Sequence, residues 1–150
     1  MPQSLSNILI HLVFSTKDRQ SWLVSPFREQ THAFLAGAVR QCGCEAYRVG
    51  GVEDHVHLAI GLSRTLAVAD LVKEIKTSSS KWLKEQDGTF SDFSWQKGYG
   101  VFSLGMSQKD ALLHYIENQE EHHRTQSFQD EYRAFLTKYG IGYDERYVWD

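Results

Sequence analysis

Two runs of period-two alternation restrict what this chain can fold into. Ile8, Ile10, Leu12 and Phe14 alternate with Leu9, His11, Val13 and Ser15, which predicts a strand. From His55 to Leu62 a second apolar run repeats the pattern, with Val56, Leu58 and Ile60 on one side and His55 and His57 on the other. Strands of this kind bury one face and must be covered by helices or by a second sheet.

The residues between and after these runs supply helices. Ser25-Pro26 opens a helix that runs to about Gln41 and stops at Gly43. Ala46 to Val49 reads as a short second strand, turned by Gly50-Gly51 into the His55 strand. A helix from about Val68 to Lys84 follows, then a polar loop from Gln86 to Gly98, and a fourth strand from Val101 to Leu104. Ser107, with Asp110 three residues later, predicts the cap of a helix carrying Tyr115 and Gln119. A last helix spans about Phe128 to Tyr139 and ends at Gly140 before an aromatic tail. The order β-α-β-β-α-β predicts an α+β, ferredoxin-like (split βαβ, RRM-like) fold. Its antiparallel sheet carries helices on one face, and further helices follow at the C-terminus. In that plan the first and third strands are central neighbours, so His55 and His57 lie mid-sheet and His11 can share their face. One domain over residues 1–150 is expected, since no Pro/Ser/Gly-rich linker divides the chain.

Composition narrows the function classes. No apolar run approaches the roughly 20 residues that span a bilayer, and the N-terminus lacks the pattern of a signal peptide. Cys42 and Cys44 are too few for a disulfide framework or a four-cysteine metal site. A cytoplasmic protein without membrane partners is expected. The net charge of −3 does not advertise a nucleic-acid binder. Its distribution is uneven: residues 1–110 carry 12 Lys/Arg against 11 Asp/Glu, and residues 111–150 carry 4 against 8.

Chemistry-bearing groups fall in three places. His55 and His57 present two imidazoles on one strand face, a pair suited to a divalent metal. Asp54 is read first as a turn residue and second as an outer partner of a metal-bound histidine. Tyr115 and Gln119 stand one helical turn apart, and of the seven tyrosines only Tyr115 has a potential metal ligand four residues on. Two imidazoles, an amide oxygen and a neighbouring phenol outline metal-assisted attack by tyrosine. Lys73, Lys76 and Lys84, with Lys81 nearby and Thr77-Ser78-Ser79-Ser80 between, make a helix surface suited to phosphate. Glu120, Glu121, His122 and His123 crowd a helix end and read as a solvated terminus.

Taken together, four motifs resemble the HUH single-tyrosine transposases of the insertion-sequence 200/605 group. They are His11-Leu12-Val13-Phe14-Ser15-Thr16-Lys17, Asp54-His55-Val56-His57-Leu58, Trp95-Gln96-Lys97-Gly98-Tyr99 and Tyr115-Ile116-Glu117-Asn118-Gln119. The resemblance covers about residues 5 to 125, and the segment beyond adds little to it. It implies a transposase that acts on single-stranded DNA and recognises hairpins at the ends of its element. His55, His57 and Gln119 match the metal ligands, for magnesium or manganese (Mg2+ or Mn2+), and Tyr115 matches the nucleophile that forms a 5′-phosphotyrosine. No nucleotide cofactor is implied. Family members are homodimers whose active sites are shared, the tyrosine helix of one subunit completing the other's metal site. Domesticated relatives that process repetitive extragenic palindromes share these motifs.

Two rival classes remain. A non-catalytic single-strand binding module on this sheet needs exposed stacking aromatics where His55 and His57 stand. A metal-dependent hydrolase needs further carboxylate or histidine ligands and activates water rather than tyrosine.

Overall fold

The computed structural model describes residues 2–150. Four antiparallel strands, β1 (Leu9–Ser15), β2 (Glu45–Gly51), β3 (His55–Gly61) and β4 (Gly100–Leu104), form one sheet in the order β2-β3-β1-β4. The chain is therefore α+β with the expected central pair, β1 against β3. Helices α1 (Phe27–Gln41) and α2 (Val68–Gln86) connect the strands, and α3 (Lys109–Glu117), α4 (Gln119–His122) and α5 (Phe128–Lys138) follow them.

Strand alternation sorts the side chains into two layers. Ile10, Leu12 and Phe14 of β1 and Val56, Leu58 and Ile60 of β3 face α1 and α2, where Leu35, Val39, Leu71, Val72, Ile75 and Leu83 close the main core. The stretch between α2 and β4 is not the solvated loop its polarity predicts. Phe90, Phe93 and Trp95 are buried in the same core, with a 3-10 turn at Gly88–Phe90. The Trp95 indole N–H donates to Ser79 Oγ at 2.9 Å, and Gln96 Oε1 accepts from the Ser15 backbone at 2.8 Å. These residues brace the end of β1.

The opposite face is covered as well. Leu112 and Ile116 of α3 pack on Leu9 and Ala59, and Phe128, Tyr132 and Leu136 of α5 pack on Val13 and Phe102. Two glycines permit this approach. A Cβ at Gly50 would stand 2.7 Å from the Ile116 carbonyl oxygen, and one at Gly100 would stand 2.5 Å from the Tyr132 ring. The polypeptide turns into β3 through Val52–Asp54, one step later than Gly50-Gly51 suggests, because both glycines still pair with β3.

Two local expectations fail. Ser107 does not cap the tyrosine helix: Met106–Gln108 form a 3-10 turn, and the Gln108 amide oxygen accepts from the Gly105 backbone at 3.0 Å. Tyr115 and Gln119 do not share one unbroken helix. Asn118, at φ −98° and ψ 23°, ends α3 and restarts the chain as α4. Among the described residues no helix is long and apolar enough to cross a membrane.

Candidate active site

The histidine face of the sheet lies beneath α3, α4 and α5. His55 and His57 are fully buried, 0% exposed. Register places Val13 opposite His57 and His11 opposite Ala59, so His11 and His57 are diagonal neighbours on one face, joined Nε2 to Nδ1 at 2.7 Å. Asp54 serves as more than a turn residue: its Oδ1 accepts from His55 Nδ1 at 2.7 Å. Thr16 donates its backbone N–H to the Asp54 carbonyl at 2.8 Å, which fixes where β3 begins.

The tyrosine helix brings its residues to the same place. With Leu112 and Ile116 facing the sheet, Tyr115 falls on the flank of the buried stripe, its ring 5.7 Å from that of His57 in edge-on contact. Although the helix breaks at Asn118, Gln119 stays one turn below Tyr115. Its amide nitrogen donates to the Tyr115 carbonyl at 3.4 Å and to Glu131 Oε2 at 3.3 Å. That orientation leaves Gln119 Oε1 facing His55 Nε2 at 3.2 Å. All four sequence-predicted residues, His55, His57, Tyr115 and Gln119, thus meet within one chain. A cleft of about 520 Å³, lined by Ala111, His114, Tyr115, Asn118, Glu121 and His122, opens onto the tyrosine.

Three further residues complete the cluster, and sequence reasoning missed each. Glu131 of α5, 2% exposed, lies at the centre. Its Oε1 is 2.9 Å from His57 Nε2, 3.1 Å from His123 Nε2 and 3.4 Å from His55 Nε2. Its Oε2 accepts from the Tyr115 hydroxyl and lies 3.3 Å from His122 Nε2. His122 and His123 are therefore not a solvated helix end. The segment beyond residue 125, which adds little to the sequence resemblance, supplies the hub of the site. A signal existed: Phe128, Tyr132 and Leu136 set the buried stripe of α5, and Glu131 falls on it, an acidic residue where an apolar one is expected. His55, His57, His123 and Glu131 place one ligand atom each within 4.8 Å of one another, an arrangement able to hold a metal ion.

Electrostatics follow from burial and the carboxylate. Burial works against charge on His55, but the hydrogen bonds to Asp54 and Glu131 prevail and raise its pKa to about 9. At His57 burial prevails and lowers the pKa to about 4. Burial, reinforced by His57, also holds His11 well below the usual imidazole value. Burial opposes ionisation of Glu131, yet the His123, His55 and His57 imidazoles packed against it hold it far below the ordinary carboxylate range. For Tyr115, burial and then the Glu131 charge push the phenol well above its usual value. The phenol is therefore held protonated at neutral pH.

The lysines lie elsewhere. Helix α2 packs on the sheet face opposite the histidines, and Lys73, Lys81 and Lys84 are exposed on it. Lys76 differs from them. Its Nζ donates to the carbonyl oxygens of Gln96 and Gly98 at 2.8 and 2.7 Å and sits 4.9 Å above the Phe14 ring, and burial lowers its pKa to about 8. A cleft of about 430 Å³ there is lined by Lys73, Lys76, Thr77, Ser80, Trp95 and Lys97, among others.

Comparison with known proteins agrees with this layout. The chain is 25% identical over 118 residues to the ISDra2 transposase TnpA of Deinococcus radiodurans, covering 74% of this chain and 83% of that one. A crystal structure assigned to a transposase of Deinococcus radiodurans R1 has the same fold. It superposes with a TM-score of 0.62 at 24% identity, over 79% of this chain and 98% of that one. A REP-associated tyrosine transposase solved bound to a REP hairpin superposes with a TM-score of 0.60 at 13% identity, over 82% and 72% of the two chains. The family described as Transposase IS200 like matches residues 4–119, from ahead of β1 through the histidine strand and the tyrosine helix to Gln119. The chain therefore belongs to the IS200-like transposases, enzymes that cut and join DNA.

Proposed function

We propose that this transposase cuts and rejoins single-stranded DNA through a covalent tyrosine intermediate, with a divalent cation at its histidine pair. The observation that carries the reading is the convergence of Tyr115 with His55, His57 and Gln119 in one buried cluster. His55, His57 and Gln119 are the ligands, with Mg2+ or Mn2+ as the ion, and Tyr115 is the nucleophile. The donor set suits a cation: the buried His123 Nε2 has no hydrogen-bond partner, and a carboxylate oxygen stands among three imidazole nitrogens. When bound, the ion neutralises charge developing on the phosphate oxygens and fixes the group for attack.

The remaining steps belong to the chain. The Tyr115 oxygen forms a bond to phosphorus, and the bond from phosphorus to the upstream 3′ oxygen breaks. The hydrogen bond to Glu131 orients the phenol, and its proton ends on the released 3′ oxygen, which becomes the 3′ hydroxyl. The 5′-phosphotyrosine keeps the phosphodiester energy, so another 3′ hydroxyl can reverse the step and join a new strand without ATP.

The substrate is read as a hairpin-forming single strand at the ends of a mobile element. Lys73, Lys81 and Lys84 are the proposed phosphate contacts, on the layer away from the chemistry, while Lys76, expected among them, is turned to the Gln96 and Gly98 carbonyls. Their position fits a grip on hairpin stem rather than on the scissile phosphate. The likeness to a REP-associated tyrosine transposase bound to a hairpin favours a second reading of biological role, the processing of repetitive extragenic palindromes. A non-catalytic binding module is disfavoured, because α3 to α5 cover the sheet face such a module would use for stacking. The enzyme is read as working in the prokaryotic cytoplasm, where its DNA lies.

A homodimer with shared sites is the arrangement the family resemblance implies. The geometry here favours a site closed within one chain, since Tyr115 already stands beside its own His57. One experiment tests chemistry and arrangement. Protein mixed with a single-stranded hairpin and manganese is expected to give an adduct that survives denaturing electrophoresis, with little from the same sequence as a duplex. Tyr115→Phe and His57→Ala are each expected to abolish it, and full cleavage by Tyr115→Phe overturns the tyrosine mechanism. After proven subunit exchange, a mixture of the two variants stays inactive if sites are closed within chains and regains activity if they are shared.

A further inference from the structure

We infer that His123 and Glu131 are ligands of the same cation, so that three imidazoles and a carboxylate surround the ion and α5 is locked to the sheet through it. The inference rests on the cation reading above and adds to it two residues that lie beyond the family match, which ends at Gln119.

The first ground is orientation. Each of the three histidines has its Nδ1 engaged away from the centre. His55 Nδ1 donates to the Asp54 carboxylate at 2.7 Å, and His123 Nδ1 donates to the Gln126 carbonyl at 2.6 Å. His57 Nδ1 is tied to His11 Nε2 at 2.7 Å. All three therefore turn Nε2 inward, the pattern in which an outer carboxylate, carbonyl or ring fixes the tautomer and raises the donor strength of a metal-bound imidazole.

The second ground is what lies between them. Glu131 Oε1 is 2.9, 3.1 and 3.4 Å from the Nε2 atoms of His57, His123 and His55, and Gln119 Oε1 is 3.2 Å from His55 Nε2. At His123 the Nδ1 proton is committed to a carbonyl, and Nε2 is buried without a hydrogen-bond partner. An inward lone pair facing a carboxylate oxygen in a site closed to solvent is unfavourable unless positive charge lies between them.

The third ground is the second oxygen of Glu131. Oε2 accepts from the Tyr115 hydroxyl and from the Gln119 amide. One carboxylate would thus hold the ion with one oxygen while accepting from the nucleophile with the other, tying Tyr115 to the ion. A set of three imidazoles with one carboxylate also differs from two imidazoles and an amide. It carries a formal negative charge and more nitrogen, which favours manganese over magnesium, an ion that prefers oxygen ligands and retained water.

The test is metal binding, read without DNA. Wild-type apoprotein titrated calorimetrically with manganese chloride is expected to bind one ion per chain, at least about tenfold more tightly than magnesium. Glu131→Gln, which keeps the side-chain shape, and His123→Ala are each expected to weaken manganese binding about tenfold or more. Pulsed electron paramagnetic resonance of the manganese form is expected to show three coordinated nitrogens in wild type and two in His123→Ala. The wild-type spectrum holds the inference to account even if a variant fails to fold. Two nitrogens in wild type, with unchanged affinity in both variants, would overturn the inference and leave the His55–His57 site standing. No manganese binding by wild type would instead remove the cation reading and this inference with it.

Discussion

Lys76 and Lys73 show how one residue type on one helix divides into different tasks. The Lys76 ammonium is committed to backbone carbonyls of the Gln96–Gly98 stretch and rests over Phe14. Lys73, one turn earlier, is exposed. Removing the first leaves buried acceptors unpaired, which costs about 1–3 kcal/mol. Removing the second takes away a solvated charge. Lys76→Met is therefore expected to lower the midpoint of urea unfolding clearly. Lys73→Met should leave it within about 0.5 kcal/mol but weaken hairpin binding and reduce the salt slope by about one. Equal unfolding midpoints for the two variants would refute the division. The same principle explains the histidines: His55, His57 and His123 differ less in chemistry than in what holds each Nδ1.

At the scale of elements, the layer of α3 to α5 depends on how closely helices approach the sheet. Gly50 and Gly100 leave room that any side chain would fill, the first against the Ile116 backbone and the second against the Tyr132 ring. Gly37, inside α1, has nothing within 4 Å of its missing Cβ. One substitution should therefore act with opposite sign at these sites. Gly100→Ala is expected to destabilise by about 1–3 kcal/mol through overpacking. It should also loosen α5, so that manganese affinity falls along with thermal stability. Gly37→Ala is expected to stabilise by about 0.5–1 kcal/mol, because alanine loses less entropy than glycine in a helix. Thermal unfolding of the two variants beside wild type checks both signs. A stabilised Gly100→Ala protein would mean that α5 packs elsewhere in solution.

Across the whole molecule, buried imidazoles link stability to pH. His32 on α1 is lowered to about 4 by burial, with the Arg28 guanidinium adding to the effect, and its Nε2 is buried without a partner. As pH falls below 6.5 the unfolded chain takes up a proton that folded His32 refuses until about pH 4. Stability is thus full above pH 6.5 and is lost through the window down to about 4. Between pH 7 and 5 this one group accounts for about 2 kcal/mol. His32→Leu is expected to lose that much less stability than wild type over the same interval, measured by urea unfolding at the two pH values. Parallel losses in the two proteins would show that His32 is solvated in the fold. Charge distribution is also a property of the whole: the acidic segment 111–150 carries Glu131 into the centre of the site, while the exposed lysines of α2 lie on the other layer.

The sequence by itself determined the strands, their order and the face on which the histidines lie. Period-two alternation in β1 and β3 leaves one arrangement that buries Leu12, Phe14, Val56, Leu58 and Ile60 together, and the same parity turns His11, His55 and His57 to the other side. Spacing also carried Tyr115 and Gln119, since a residue and its fourth successor stay near one another even where Asn118 breaks the helix. Only the tertiary structure decided that this second face is closed and that Glu131 and His123 enter the cluster. Both depend on where α5 docks, and docking is set by the fit of Phe128, Tyr132 and Leu136 into the space above Val13, Phe102 and Gly100. A local pattern records which side of a helix is apolar. It does not record which surface that side will meet, because that contact joins residues as far apart in the chain as Val13 and Phe128.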